Sequence, residues 1–229
     1  MGSGPGRFLR HVGRPHAERV ALDLSPEMLL QVERTGPNSP HLVRGDGGAP
    51  PFCRAGFAEV AVLGNALGFS GDVAEDFLVT VSDLVAPGGF LLLEVVAGAG
   101  ERSRYLTRLP PGAVARLLRA PVAALVPRVA REGYVAEPRR RKEEGTFCRF
   151  DPKKLGASFL AKGWGLRETL AIAPALGADP ESLEAVRPDA KAWDHLLEFE
   201  ELVGRQPERW PRAAAVLLAL ARPASEGHD

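Results

Sequence analysis

The stretch MGSGPGRFLRHV, residues 1–12, decides how the chain reads. Gly2, Gly4 and Gly6 alternate with other residues and precede a run from Arg7 to Val12 whose composition reads as helical, His11 included. A loop of this kind follows a buried strand and leads into a helix, because glycine turns tightly and lets the backbone approach a ligand. No strand-like residues come before it. A dinucleotide fingerprint would set its third glycine where Arg7 stands, and Gly6 arrives one residue early, so a pyrophosphate ligand is disfavoured. Taken alone, the glycine trio reads equally as a flexible leader.

Working outward, short apolar runs alternate with helical patterns, the rhythm of βαβ units on a mainly parallel sheet. RVALDL (19–24) reads as a buried strand, and SPEMLLQVER (25–34) as a helix with Ser25 as N-cap and Pro26 at the first helical position, where its missing N–H costs nothing. HLVRGD (41–46) is a second strand, DGGAPPF (46–52) a turn-rich loop, and AEVAVLGN (58–65) a strand that stops at Gly64 and Asn65. Val73, Phe77, Val81, Leu84 and Val85 recur at helical spacing. APGG (86–89) then turns the chain into FLLLEVV (90–96), the most strand-like run and the expected centre of the sheet.

Residues 98–149 break this rhythm and read as an insertion or lid, with helices around 111–131 interrupted by Pro121 and Pro127. Beyond it, 151–163 reads as a helix, 165–173 as a strand, and 189–204 as an amphipathic helix whose stripe runs through Trp193, Leu196, Leu197, Phe199 or Glu200, and Val203. The run 213–221 is strand or helix on periodicity alone.

Composition excludes several classes. The chain has 229 residues, 29 Lys+Arg against 29 Asp+Glu, and 45% hydrophobic residues, so nothing draws it to nucleic acid or a membrane surface and one sizeable core is expected. No apolar run approaches the roughly 20 residues of a bilayer span. Cys53 and Cys148 lack a CxxC or histidine context, which suggests free thiols and no metal, and the absence of a leader pattern places the chain in the cytoplasm. Arg139, Arg140, Arg141 and Lys142 are followed at once by Glu143 and Glu144 with no interleaved aromatics, the pattern of a solvated loop. Trp164 and Trp193 read as packing residues.

A nucleotide-binding sheet needs a close-approach loop and then an acid at the tip of the next strand. Asp23 ends RVALDL at that distance, and a carboxylate there accepts from two ribose hydroxyls. Asp23 serves equally well as a cap for the helix that follows.

At this point GSGPGRFLRHV, VALDLSPEML, RGDGGAPPF and LVAPGGFLLLEV, in that order, resemble the class I S-adenosylmethionine-dependent methyltransferases of small-molecule type, and residues 150–170 resemble the family's late helix and strand more loosely. The resemblance implies an α/β, Rossmann-like sheet with helices on both faces and an antiparallel last strand, formed by 213–221. It divides one domain, 1–229, into a cofactor-binding half (1–97), the insertion (98–149) and C-terminal helices and strands (150–229). It implies S-adenosylmethionine as cofactor, with Gly2, Ser3, Gly4 and Gly6 approaching the methionine part, and Asp23 with Leu24 at the ribose. Asp46 with Gly47 falls at the adenine, and Asn65 borders the sulfonium. Phe69 and Tyr105 fall in the acceptor pocket. Asp46 and Asn65 also read as ordinary turn residues. An Asn-Pro-Pro-Tyr pattern is absent, so base methylation gains no support.

The implied reaction is methyl transfer to a small molecule; a non-catalytic cofactor-fold module is the alternative, and an NAD-dependent oxidoreductase a weaker one. His11, Tyr105, Glu94 and His195 are candidate bases by type only, and no catalytic residue is assigned. In the family's seven-stranded sheet the first strand lies in the middle and ends at the glycine loop, so it is expected to be missing here and the native chain to begin upstream of Met1. Occupation of that place by 213–221, or by a partner chain, is the alternative.

Overall fold

The computed structural model describes residues 1–9, 11–14, 16–34, 39–96, 150–172, 184–206 and 215–224. The elements run β1 (Val20–Asp23), α1 (Pro26–Leu30), β2 (His41–Arg44), β3 (Phe57–Val62), a 3-10 turn (Gly68–Val73), α2 (Ala74–Leu84), β4 (Val85–Val95), α3 (Pro152–Ala161), β5 (Gly165–Ile172), α4 (Ala190–Gly204) and β6 (Ala215–Ala221). The insertion with Tyr105 and the basic run lies outside the described residues.

Local chemistry sets the helix starts. Ser25 Oγ accepts from the Met28 amide at 3.2 Å, with Pro26 at the first position of α1. Asp151 caps α3 through the Lys153 and Lys154 amides, and Asp189 caps α4 through that of Ala192. Ser25→Ala is expected to cost about 1 kcal/mol, read as a lower urea midpoint at unchanged slope.

β1 pairs with β2 in parallel, from Val20 opposite His41 to Asp23 opposite Arg44. A second sheet has the order β3-β4-β6-β5, with β3 and β4 parallel and β6 antiparallel to both neighbours. Its apolar runs are buried because helices cover it: Phe77, Val81 and Leu84 of α2, and Leu155 and Phe159 of α3, join Leu91, Leu93, Leu218 and Leu220 in one core. Each fully buried side chain of this kind contributes about 1.5–3 kcal/mol. Trp164 is buried, its ring 5.4 Å from Phe159 in an edge-to-face contact.

Three readings change. Residues 7–9 and 11–12 lie in turns, with the Leu9 amide bonded to the Gly6 carbonyl and the His11 amide to that of Phe8, and so His11 lies on a turn and not on a helix. Gly6 and Gly13, both with φ of +80°, bracket a segment too short to propagate a helix on its own. APGG belongs to β4: the Gly88 amide donates to the Pro223 carbonyl and the Arg222 amide to Gly89, which extends the ladder with β6 across the glycines. Leu197 is exposed, and Ala192 takes its place on the buried stripe with Leu196, Phe199 and Val203. The run at 213–221 supplies β6, which lies between β4 and β5 and antiparallel to both, as expected of the last strand, and the alternative place beside β1 and β3 is not the one it takes.

β1 and β3 are not paired with each other. Residues 1–3 link them: the Met1 amine donates to the Ala61 carbonyl at 2.8 Å, and the Ser3 amide to the Leu22 carbonyl at 3.0 Å. No helix among the described residues is long and apolar enough to cross a membrane.

Candidate functional site

In a parallel sheet ligands gather outside the carboxyl ends of the strands. Asp23 ends β1 there, half-buried. Its Oδ2 accepts from the Gly4 amide at 2.7 Å and its Oδ1 from the Ser25 amide at 2.9 Å. One carboxylate therefore ties the glycine loop to the start of α1, and its remaining lone pairs stay available. The capping role and a ligand role coexist at this residue.

Gly2 has φ of +63°, and a Cβ there would lie 2.6 Å from the Ala66 Cβ, so the loop rests against the turn after β3. At Gly6 a Cβ would meet Leu9 and Val32 at 3.0–3.2 Å. Gly4 faces open space, with nothing within 4 Å of its Cβ position.

Asn65, φ +67°, starts the 3-10 turn: its carbonyl accepts from the Gly68 amide at 2.9 Å. Its side-chain Oδ1 is buried with no hydrogen-bond partner. An orphaned acceptor costs about 1–3 kcal/mol, which a ligand donor would recover. Asp46 closes a turn by accepting from the Gly48 amide at 2.8 Å, and Gly47 packs where a Cβ would sit 2.6 Å from the Phe77 ring. Leu24 and Phe69 are exposed, at 67% and 74%.

Among the candidate bases, Glu94 lies at this end of the sheet: its Oε2 accepts from the Gly64 amide at 2.8 Å. His11 is exposed on its turn, and His195 sits on α4, which packs on the far edge strand β5. The Glu94 contact went unread in the sequence. Its signal was an acid inside the apolar run FLLLEVV, since a carboxylate in a central strand needs a donor. The contact of Gly2 with Ala66 carried no sequence signal. The Phe150 amide donates to the Val96 carbonyl at 3.1 Å, so Val96 and Phe150 meet at the end of β4.

The Met1 amine is the one strongly shifted group among those described: burial lowers its pKa to about 6, against the attraction of Asp23. No group of three or more metal-ligating side chains occurs among the described residues.

Comparison with known proteins follows this geometry. Residues 1–93 match the family model described as a methyltransferase domain. No curated protein matches. Among solved structures, the methyltransferase in complex with its Trm112 activator from Haloferax volcanii is 18% identical, with a TM-score of 0.54, over 99% of this chain and 82% of that one. An S-adenosylmethionine-dependent methyltransferase from Mesorhizobium loti is 18% identical, with a TM-score of 0.52, over 96% and 88%. The cyclase SpnF, 13% identical with a TM-score of 0.56 over 98% and 74%, has the same fold, so the likeness is one of architecture.

Proposed function

We propose that this chain, whose residues 1–93 match a methyltransferase-domain model, is an S-adenosylmethionine-dependent methyltransferase that methylates a small-molecule acceptor at the carboxyl ends of β1 to β4. The observation that carries the reading is the 2.7 Å bond from the Gly4 amide to Asp23, which sets a close-approach loop over an acid.

The residues present suit the cofactor. Asp23 accepts from the ribose hydroxyls, with Leu24 against the sugar, and Asp46 beside Gly47 accepts from the adenine amino group. Gly2, Ser3, Gly4 and Gly6 border the methionine part, and the orphaned Asn65 Oδ1 offers an acceptor near it. When bound, the sulfonium supplies an activated methyl and its own leaving group. The chain's own task is positioning: holding an acceptor in line contributes about 7–11 kcal/mol. Phe69 gives that acceptor an apolar wall, and the insertion 98–149, with Tyr105, sets its identity. Equal numbers of acidic and basic residues fit a small acceptor better than a nucleic acid.

Calorimetry with S-adenosylhomocysteine and with NAD is the direct test. Binding of the first and not the second is expected, with methylated product detected by mass spectrometry across a panel of small amines, phenols and carboxylic acids. NAD binding in place of S-adenosylhomocysteine overturns the cofactor site. Binding without turnover on any acceptor returns the chain to a non-catalytic role.

A further inference from the structure

We propose that Glu94 makes the methyl acceptor an amine, its carboxylate taking the N–H groups of the acceptor's nitrogen. The inference rests on the methyl-transfer reading and deepens it. Glu94 is the only acid in β4: in line it stands between Leu93 and Val95, and across the ladder it faces Leu217 of β6. The alternation that buries Leu91, Leu93 and Val95 turns Glu94 to the other face of the strand, where it is half-buried. A carboxylate offers about four lone-pair sites. Among the described residues one donor meets them, the Gly64 amide, 2.8 Å from Oε2, and no cation pairs with Glu94. A charge placed in a central strand without a counter-ion calls for a partner that brings donors and positive charge.

The turn that ends β3 points to the same ligand class. Gly64 and Asn65 are consecutive left-handed residues, with φ of +65° and +67°, and the Glu94 bond ties this turn to the carboxyl end of β4. The turn also carries the orphaned Asn65 Oδ1, and the Phe69 amide bonds to the Asn65 carbonyl at 3.4 Å with the Phe69 side chain exposed. Two acceptor groups with spare capacity and one exposed ring therefore share a single turn. An alcohol or phenol brings one donor, and a carboxylate brings none and a like charge. A primary amine brings two N–H groups, or three and a positive charge when protonated, and its hydrogen bonds to a carboxylate are charge-assisted. In the transfer the amine nitrogen bonds to the methyl carbon while the carbon–sulfur bond breaks with its electrons on sulfur. The proton shed by nitrogen passes to the Glu94 carboxylate and on to water.

Glu94→Gln separates this role from support of the turn, because glutamine keeps an oxygen for the Gly64 amide and loses the charge. The test is calorimetry on the 229-residue chain saturated with S-adenosylhomocysteine. The titrants are benzylamine, phenethylamine and cyclohexylamine, each beside its matched alcohol and carboxylate. At least one amine is expected to bind at least ~10-fold more tightly than its matched alcohol and carboxylate. Glu94→Gln is expected to abolish that preference while S-adenosylhomocysteine affinity stays within about threefold and Tm within about 2 °C of wild type. Binding of no amine, equal or tighter binding of the alcohols or carboxylates, or an amine preference that survives Glu94→Gln overturns the inference. With S-adenosylhomocysteine still bound, each of these results leaves the methyl-transfer reading standing. A chain that does not bind S-adenosylhomocysteine overturns both.

Discussion

Gly2→Ala is expected to weaken S-adenosylhomocysteine binding by at least ~30-fold while leaving the core intact. Two costs combine at this position. A residue with a Cβ at φ +63° is strained by about 1–2 kcal/mol. The new methyl group also sits 2.6 Å from the Ala66 Cβ, an overlap whose relief costs about 1–3 kcal/mol. The sum, about 2–5 kcal/mol, converts to roughly 30-fold or more in affinity at 1.4 kcal/mol per tenfold. It falls on binding because the loop relaxes by lifting away from Ala66, and the buried residues of β3, β4 and β6 are untouched. Gly4→Ala is the control: φ is +52° but nothing lies within 4 Å, so only the strain of about 1–2 kcal/mol remains and the loss stays within roughly 5- to 30-fold. Ala66→Gly in the Gly2→Ala background removes the overlap and is expected to restore the steric part. Calorimetry on the wild type, the Gly2→Ala and Ala66→Gly single variants and their double reads the cycle, with Gly4→Ala measured beside them. Equal losses for Gly2→Ala and Gly4→Ala, with no rescue by Ala66→Gly, would remove the loop from the binding surface.

Both glycine positions were legible in the sequence, but the difference between them was not. Glycine at alternating positions signals a loop, whereas the closeness of Ala66 depends on how residues 1–6 meet the turn after β3, sixty residues away. The same division holds through the fold. β1, β2, β3 and α2 stand where their patterns put them, and α1 starts where Ser25 and Pro26 put it, because these residues and the apolar spacing of Phe77, Val81 and Leu84 act locally; α1 stops at Leu30, short of the Arg34 expected. Residues 7–12 misled, since their composition suits a helix while Gly6 and Gly13 hold the segment in turns. The start of β4 misled for the opposite reason. APGG has turn chemistry, but the Pro223 carbonyl and the Arg222 amide recruit Gly88 and Gly89 into the ladder. Arg222 donates from its guanidinium to the Val85 and Ser82 carbonyls, a contact that requires the end of β6 to lie beside the start of β4. At the site, Asp23 was readable as an acid at a strand tip, while Glu94 became meaningful only once β4 lay beside β3 and its carboxylate met the Gly64 amide.

Asp23→Ala is expected to lower S-adenosylhomocysteine affinity by at least ~100-fold and Tm by several degrees, and the conservative partner Asp23→Asn separates the two effects. In the structure the carboxylate serves Gly4 through Oδ2 and Ser25 through Oδ1. Hydrogen bonds to a charged acceptor contribute about 1.5–3 kcal/mol each, and alanine removes both. The Ser25 amide precedes α1, so its loss loosens the helix start and registers as stability. The Gly4 amide holds the loop, so its loss registers in the geometry offered to a ligand. Asparagine keeps one oxygen and presents an NH₂ group where the other stood, which sets donor against donor on one side. It is expected to recover much of the stability, because the oxygen can face the Ser25 amide. It recovers little affinity, because ribose hydroxyls find one acceptor in place of two. A thermal melt and a calorimetric titration on the same three proteins therefore move independently if Asp23 both caps and binds. If affinity instead follows stability from aspartate through asparagine to alanine, or does not change at all, the carboxylate is a structural cap and the ribose contact belongs elsewhere.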